Sequence, residues 1–172
     1  MIIAGTGHRP QKLGVDWVTV TTDQTYPTCA RDHRAKFILN ETVCALEDLD
    51  ATAVITGFAT GFDQLLAIVA IEYLQIPCFA AIPFEGQEEK WFKSARWFYK
   101  KLLVKCEAVT VVSPGGYADW KYHRRDEWMV DNCEHLIACW DGSPSGTAYT
   151  RDYAVSIGKP VTNIWNSMLE KK

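Results

Sequence analysis

The chain has 172 residues, 48% of them hydrophobic and 23% charged, and carries a net charge of −3. That length suits one domain, able to bury on the order of 70% of its unfolded surface without metal or disulfide staples, and the aromatic content excludes a disordered chain. The mild acidity weighs against a surface dominated by attraction to nucleic acid or anionic membrane, no apolar run approaches the ~18 residues of a span, and Met1-Ile2-Ile3-Ala4 opens on a strand pattern rather than a signal peptide, so a cytoplasmic protein is expected.

Residues 2–6 read as a short buried strand. Residues 10–28, with Pro10, Gly14, Pro27 and several threonines, show no clear period and read as a long loop holding at most a helical turn. Residues 31–48 place Ala35, Ile38, Leu39, Thr42, Val43 and Leu46 at helical spacing. A strand is predicted over 53–57 and a nearly all-apolar helix over 61–75, followed by a strand over 77–83. Residues 87–104 form an amphipathic helix with Trp91, Ala95, Phe98 and Leu102 on one side. Then come a strand over 107–112, a loop over 113–121, a polar helix over 122–132 and a strand over 135–140. A tight loop over 141–146, a helix over 147–157 and a strand over 160–165 complete the series. Continuous apolar runs of five or six residues, alternating with helices, are what a parallel sheet covered on both faces requires. The expected fold is α/β: one Rossmann-like open parallel sheet spanning residues 1–172 as a single domain. The six cysteines form no CxxC pair, so they read as reduced, mostly buried side chains with no metal site.

In such a sheet ligands bind beyond the carboxyl ends of the strands. The loops there are rich in small residues: Gly5-Thr6-Gly7-His8-Arg9-Pro10, Gly57 to Asp63, Pro83 to Gln87, Ser113 to Tyr117, and Asp141-Gly142-Ser143-Pro144-Ser145-Gly146-Thr147. Glycine lets an anion approach the backbone closely, and a following helix start offers free N–H groups and a positive dipole end. Gly146 and Thr147 are the best phosphate site on this logic, with positive φ expected at Gly146; Gly57 to Gly61 is the second. No loop is a Walker A motif, and Gly5-Thr6-Gly7 lacks the third glycine of a dinucleotide fingerprint, so no cofactor is expected. Arg9 carries a fork suited to phosphate. His8 reads as turn-stabilising or ligand-binding. Asp63 at a helix start, Glu85 and Asp141 are the rim carboxylates. Lys121 to Arg125 (KYHRR) reads as a solvated face or an anion-binding wall.

Taken in order, GTGHRP, GFATGFDQLLA, IPFEGQEEKW and WDGSPSGTAYTRDYA followed by GKP resemble the SLOG superfamily, the Rossmann-like group that includes the LOG enzymes and DprA, and within it the YpsA-like branch. The resemblance covers nearly the whole chain. It implies binding of a nucleotide or nucleotide-derived molecule at Gly5, Thr6, Gly7, His8, Arg9, Gly57, Gly61, Asp63, Asp141, Gly142, Ser145, Gly146 and Thr147. LOG-type enzymes carry a glutamate three residues after their Gly-Thr pair; here that position is Thr150, which cannot act as a carboxylate.

The favoured reading is therefore a sensor or sequestering module for a nucleotide-derived ligand. The alternative is a LOG-like hydrolase of the nucleotide N-glycosidic bond, with Asp63 or Glu85 as substitute carboxylate. A second alternative is a DprA-like single-strand nucleic-acid binder, which KYHRR supports and the net charge opposes. A homodimer is expected, because Phe92, Trp97, Phe98 and Tyr99 crowd one helix.

Overall fold

In the computed structural model, which describes residues 1–166, the apolar runs pair into one six-stranded sheet. The strands are β1 (Ile2–Gly7), β2 (Ala53–Thr56), β3 (Cys78–Ile82), β4 (Ala108–Val111), β5 (His135–Cys139) and β6 (Val161–Asn163). Their order is β4-β3-β2-β1-β5-β6, with every neighbouring pair parallel. The chain winds outward from β1 to β4 and then crosses to the other side of β1 to lay down β5. That reversal opens a crevice beyond the carboxyl ends of β1 and β5, the place where open α/β sheets hold ligands.

The helices are α1 (Pro10–Leu13), α2 (Trp17–Thr22), α3 (His33–Asp48), α4 (Phe62–Ile68), α5 (Lys93–Leu103), α6 (Trp120–Asp131) and α7 (Gly146–Ser156). On one face Ile3, Val54 and Ile137 meet Leu39, Leu66 and Phe98 from α3, α4 and α5. On the other, Ala4, Ile55 and Leu136 meet Met129, Val130 and Ala154 from α6 and α7. Adjacent residues Ile3 and Ala4 fall in opposite cores because strand side chains alternate. A strand buried on both sides must be apolar throughout, which explains the continuous runs. The α/β, Rossmann-like architecture is as expected.

α4 lies directly on the backbone of β1. A Cβ on Gly5 would sit 1.9 Å from Leu66 Cδ2, and one on Gly7 would sit 2.5 Å from Phe62 Cβ. These two glycines serve helix–sheet packing; Gly5 contributes nothing to the crevice lining.

Three elements differ from the sequence expectation. Residues 10–28 hold two helices: Asp16 caps α2 by accepting from the N–H groups of Val18 and Thr19, and Leu13, Trp17 and Val20 fill the core. Helices of four and six residues are too short to display a period. The 61–75 helix widens into a π-helical turn over Val69–Tyr73. α5 begins at Lys93 rather than 87, because Gly86 turns the chain at φ +81° and buried Gln87 donates to the Gly57 carbonyl. Of the four aromatics taken to mark a dimer, Phe98 and Tyr99 are buried in this chain's own core, while Phe92 and Trp97 are exposed. Cys29, Cys78, Cys133 and Cys139 are buried thiols; Cys44 is exposed and Cys106 half-buried. Among the described residues no helix is long and apolar enough to cross a membrane.

Candidate functional site

A cleft of about 450 Å³ opens at the β1/β5 reversal. Its walls come from the loops after β1, β2 and β5 and from α6. Gly61 lets the first two loops meet: its φ is +100°, a Cβ there would lie 2.6 Å from the His8 carbonyl, and the Phe62 N–H donates to that carbonyl at 3.2 Å. The third loop is fastened from below. Buried His8 donates through Nε2 to Asp141 Oδ1 at 2.6 Å, and its backbone N–H donates to the Cys139 carbonyl. The Ser143 hydroxyl and N–H, followed by the His8 ring, hold the Asp141 carboxyl well below the usual range. His8 and Asp141 thus set the course of the 141–145 loop.

That loop delivers the chain to α7. Ser145 is the N-cap, its hydroxyl accepting from the Ala148 N–H at 3.2 Å. The N–H groups of Gly146 and Thr147, in the first turn, have no acceptor inside the helix, and both residues line the cleft. The left-handed glycine of this loop is Gly142, at φ +90°; Gly146 is not in that region, and a Cβ on it would meet nothing within 4 Å. The expected positive φ at Gly146 is therefore wrong, because the chain has already turned at Gly142 and enters the helix at Gly146. Arg9 and Lys12 stand at the rim of the same cleft. Arg9 donates to Thr60 Oγ1 at 3.1 Å, and Lys12 to Ser143 Oγ.

The floor is a buried cluster of three charges. Arg125 reaches in from α6, donating through Nη1 to the Gly57 carbonyl and through Nε to Asp126 Oδ1, both at 2.7 Å. Glycine at 57 makes room for the guanidinium: a Cβ would stand 1.9 Å from Arg125 Nη1. Asp63, in the first turn of α4, approaches Gly57 from the same side, its Oδ2 2.9 Å from where a Cβ would stand, and is 5% exposed. Burial pushes its carboxyl up to about 6, against the opposing pull of Arg125 and Arg9. Burial disfavours the Arg125 cation, but Asp126 and Asp63 more than offset this and raise its pKa.

The cleft brings together Thr6, Gly7, His8, Arg9, Asp63, Ser145, Gly146 and Thr147. Glu85 stands apart: it is exposed, and its carboxylate accepts from the Gly115 N–H. Thr150 is buried, its hydroxyl turned back to the Gly146 carbonyl. Sequence reasoning missed Asp126 and Lys12 as lining residues, and held Tyr122 and Arg125 only within KYHRR, as the alternative of an anion-binding wall. The signal in KYHRR was present but split by the helix. Tyr122 and Arg125 face the cleft, Lys121 is buried against the Pro114 carbonyl, and Arg124 pairs with Glu127 outside. Among the described residues no group of three His, Cys, Asp or Glu side chains is placed to hold a metal ion.

A family model described as the YspA SLOG family matches residues 3–159. An uncharacterized SPbeta prophage-derived protein, YoqJ of Bacillus subtilis, is 30% identical over 115 residues, 58% of this chain and 67% of YoqJ. A UPF0398 protein of Brevibacillus brevis is 22% identical over 77 residues, 44% of this chain and 41% of its own length. Two solved structures share the fold. One is DNA processing protein A from Helicobacter pylori, described for its single-stranded DNA binding mode, with TM-score 0.59 and 13% identity, covering 99% of this chain and 72% of that one. The other is the structural genomics target TM1055, with TM-score 0.56 and 14% identity, covering 99% of this chain and 81% of that one.

Proposed function

The chain belongs to the YspA SLOG family, and from that premise we propose that it binds a nucleotide-derived small molecule in the cleft, as a sensing or sequestering module. The observation that carries the reading is the start of α7 facing Arg9 and Lys12 across a space of about 450 Å³. Two helix N–H groups, a positive dipole end and two cations line one cleft, a set of groups suited to a phosphate. Asp63 and Asp126 below offer acceptors to ribose hydroxyls, and Tyr122 offers a ring to a base. The fold likeness to DNA processing protein A fits a nucleotide ligand, and a single strand of nucleic acid would use the same phosphate seat.

Calorimetric titration with the four nucleoside monophosphates and their nucleosides tests this. At least one monophosphate binds, and its nucleoside binds at least tenfold more weakly. Equal binding of the two, or of neither, removes the phosphate seat. Mass spectrometry of small molecules released from the purified protein identifies the physiological ligand class.

A second reading, cleavage of a nucleotide N-glycosidic bond, draws on Asp63. A carboxyl raised to about 6 at the floor of the cleft suits proton transfer near neutral pH. Glu85, outside the cleft, has no such support. Free base released by the parent and not by Asp63→Asn supports this reading; no release from the parent rejects it.

A further inference from the structure

We propose that the seam between α2 and α5, away from the cleft, docks an acidic segment of a partner protein that also carries an apolar side chain. Residues 90–105 hold six of the chain's 18 lysines and arginines and no acidic residue, while the remaining 12 basic residues face 21 acidic ones, a balance of −9. On α5, Lys93, Arg96, Trp97, Lys100 and Lys101 recur every three or four residues, so they form one stripe. Among the described residues none of these four cations makes an ion pair.

The stripe borders built features. The seam is closed underneath by the Thr21–Ser94 hydroxyl hydrogen bond at 2.8 Å and by the edge contacts of Trp17 and Tyr26 with Phe98. Above it lie two cavities of about 370 and 430 Å³, and Trp97, Thr21 and Thr22 line both. Lys101 lines the first and Lys93 the second. Trp97 is 58% exposed, an indole left in water. Lys101 Nζ sits 3.9 Å from the Tyr26 ring centroid and 5.1 Å from that of Trp97, so two rings hold the ammonium in place. The neighbouring carboxylates are committed elsewhere: Glu72 to Lys105 and Tyr26, Asp23 to Thr25 and the Arg31 N–H. The Lys101 ammonium lies within electrostatic reach of Glu72 but is in no ion pair among the described residues; held in place next to an exposed indole over a concavity, it is a receptor for a carboxylate and an apolar side chain side by side.

A second copy of this chain fits poorly, since a two-fold contact would set the cationic stripe against itself. A single strand of nucleic acid would meet the same stripe, but the balance of −9 over the rest of the chain opposes an extended polyphosphate more than a short acidic segment.

The test is titration of the full chain, labelled with nitrogen-15, with a poly(Glu-Tyr) copolymer, poly-Glu, oligothymidylate and vesicles of anionic lipid. Poly(Glu-Tyr) is expected to shift the Trp97 indole and α5 amide signals and to bind about tenfold more tightly than poly-Glu, weakening with salt. Trp97→Ala removes that preference, and Lys93→Gln with Lys101→Gln weakens both polymers. All these positions are on the surface, and an unchanged melting temperature checks the fold. Equal affinity for the two polymers, no effect of Trp97→Ala, or tighter binding of oligothymidylate or vesicles overturns the proposal. So does sedimentation showing a dimer that Trp97→Ala dissolves.

Discussion

Arg125 and Arg9 line the same cleft from different depths. Arg125 is buried at the floor, bonded to a backbone carbonyl and flanked by two carboxylates. Arg9 is exposed at the rim, with one hydrogen bond to a threonine. Identical chemistry serves two purposes because burial changes what removal leaves behind. Taking away a buried cation strands its carboxylates in low dielectric, whereas taking away an exposed one leaves groups that water can serve. The floor should therefore govern stability, and the rim should govern affinity.

The strongest break in this contrast is Arg125→Ala. It is expected to destabilise the fold by about 3–5 kcal/mol, since Asp126 and Asp63 lose their buried partner. Urea unfolding followed by circular dichroism measures it; a loss under about 1 kcal/mol would mean that the floor charges are solvated. Gly57→Ala should act in the same direction, because its methyl group would displace the Arg125 guanidinium.

The floor also predicts a pH dependence. Folded Asp63 keeps its proton up to about pH 6, and unfolded aspartate only to about pH 4. Between those values the folded state binds more protons, so stability falls as pH rises through the window. Relative to Asp63→Asn, the parent should lose on the order of 2 kcal/mol between pH 4 and 7. Asp141, whose carboxyl is held well below the ordinary range, acts in the opposite sense and only under about pH 4. Parallel stability curves for parent and variant would contradict the raised Asp63.

At the rim, Arg9→Ala should weaken a bound nucleoside monophosphate by roughly ten- to a hundred-fold and leave the unfolding midpoint unchanged. Arg9→Lys should recover part of the loss, keeping the charge without the fork. Equal affinities across the three proteins would leave α7 as the sole anion seat. Gly146 sharpens the contrast most finely. Gly146→Ala should fold as well as the parent or better, by up to about 1 kcal/mol, since its φ suits any residue and alanine favours a helix. Gly146→Asp should fold normally too but repel a phosphate from the helix start.

Much of this was legible in the residues. The parallel sheet followed from continuous apolar runs, and the rim loops from glycine clusters at strand ends. Gly5, Gly7 and Gly57 were readable as special positions, but the packing that crowds them was not. Their neighbours Leu66, Phe62 and Arg125 come from elsewhere in the chain, and no local pattern reveals a partner that tertiary packing supplies. Arg125 was hidden in a basic run whose members the helix sends to different sides. α1 and α2 were missed because their stability comes from the Asp16 cap and from Leu13, Trp17 and Val20 in the core, not from a repeating pattern.

The central claim is that a phosphate sits at the start of α7, and amide spectra of the labelled protein test it most directly. Titration with a nucleoside monophosphate should move the Gly146 and Thr147 amide signals far more than titration with the matching nucleoside does, and Gly146→Asp should abolish the difference. Signals of Gly146 and Thr147 that stay fixed while the monophosphate binds would contradict the account.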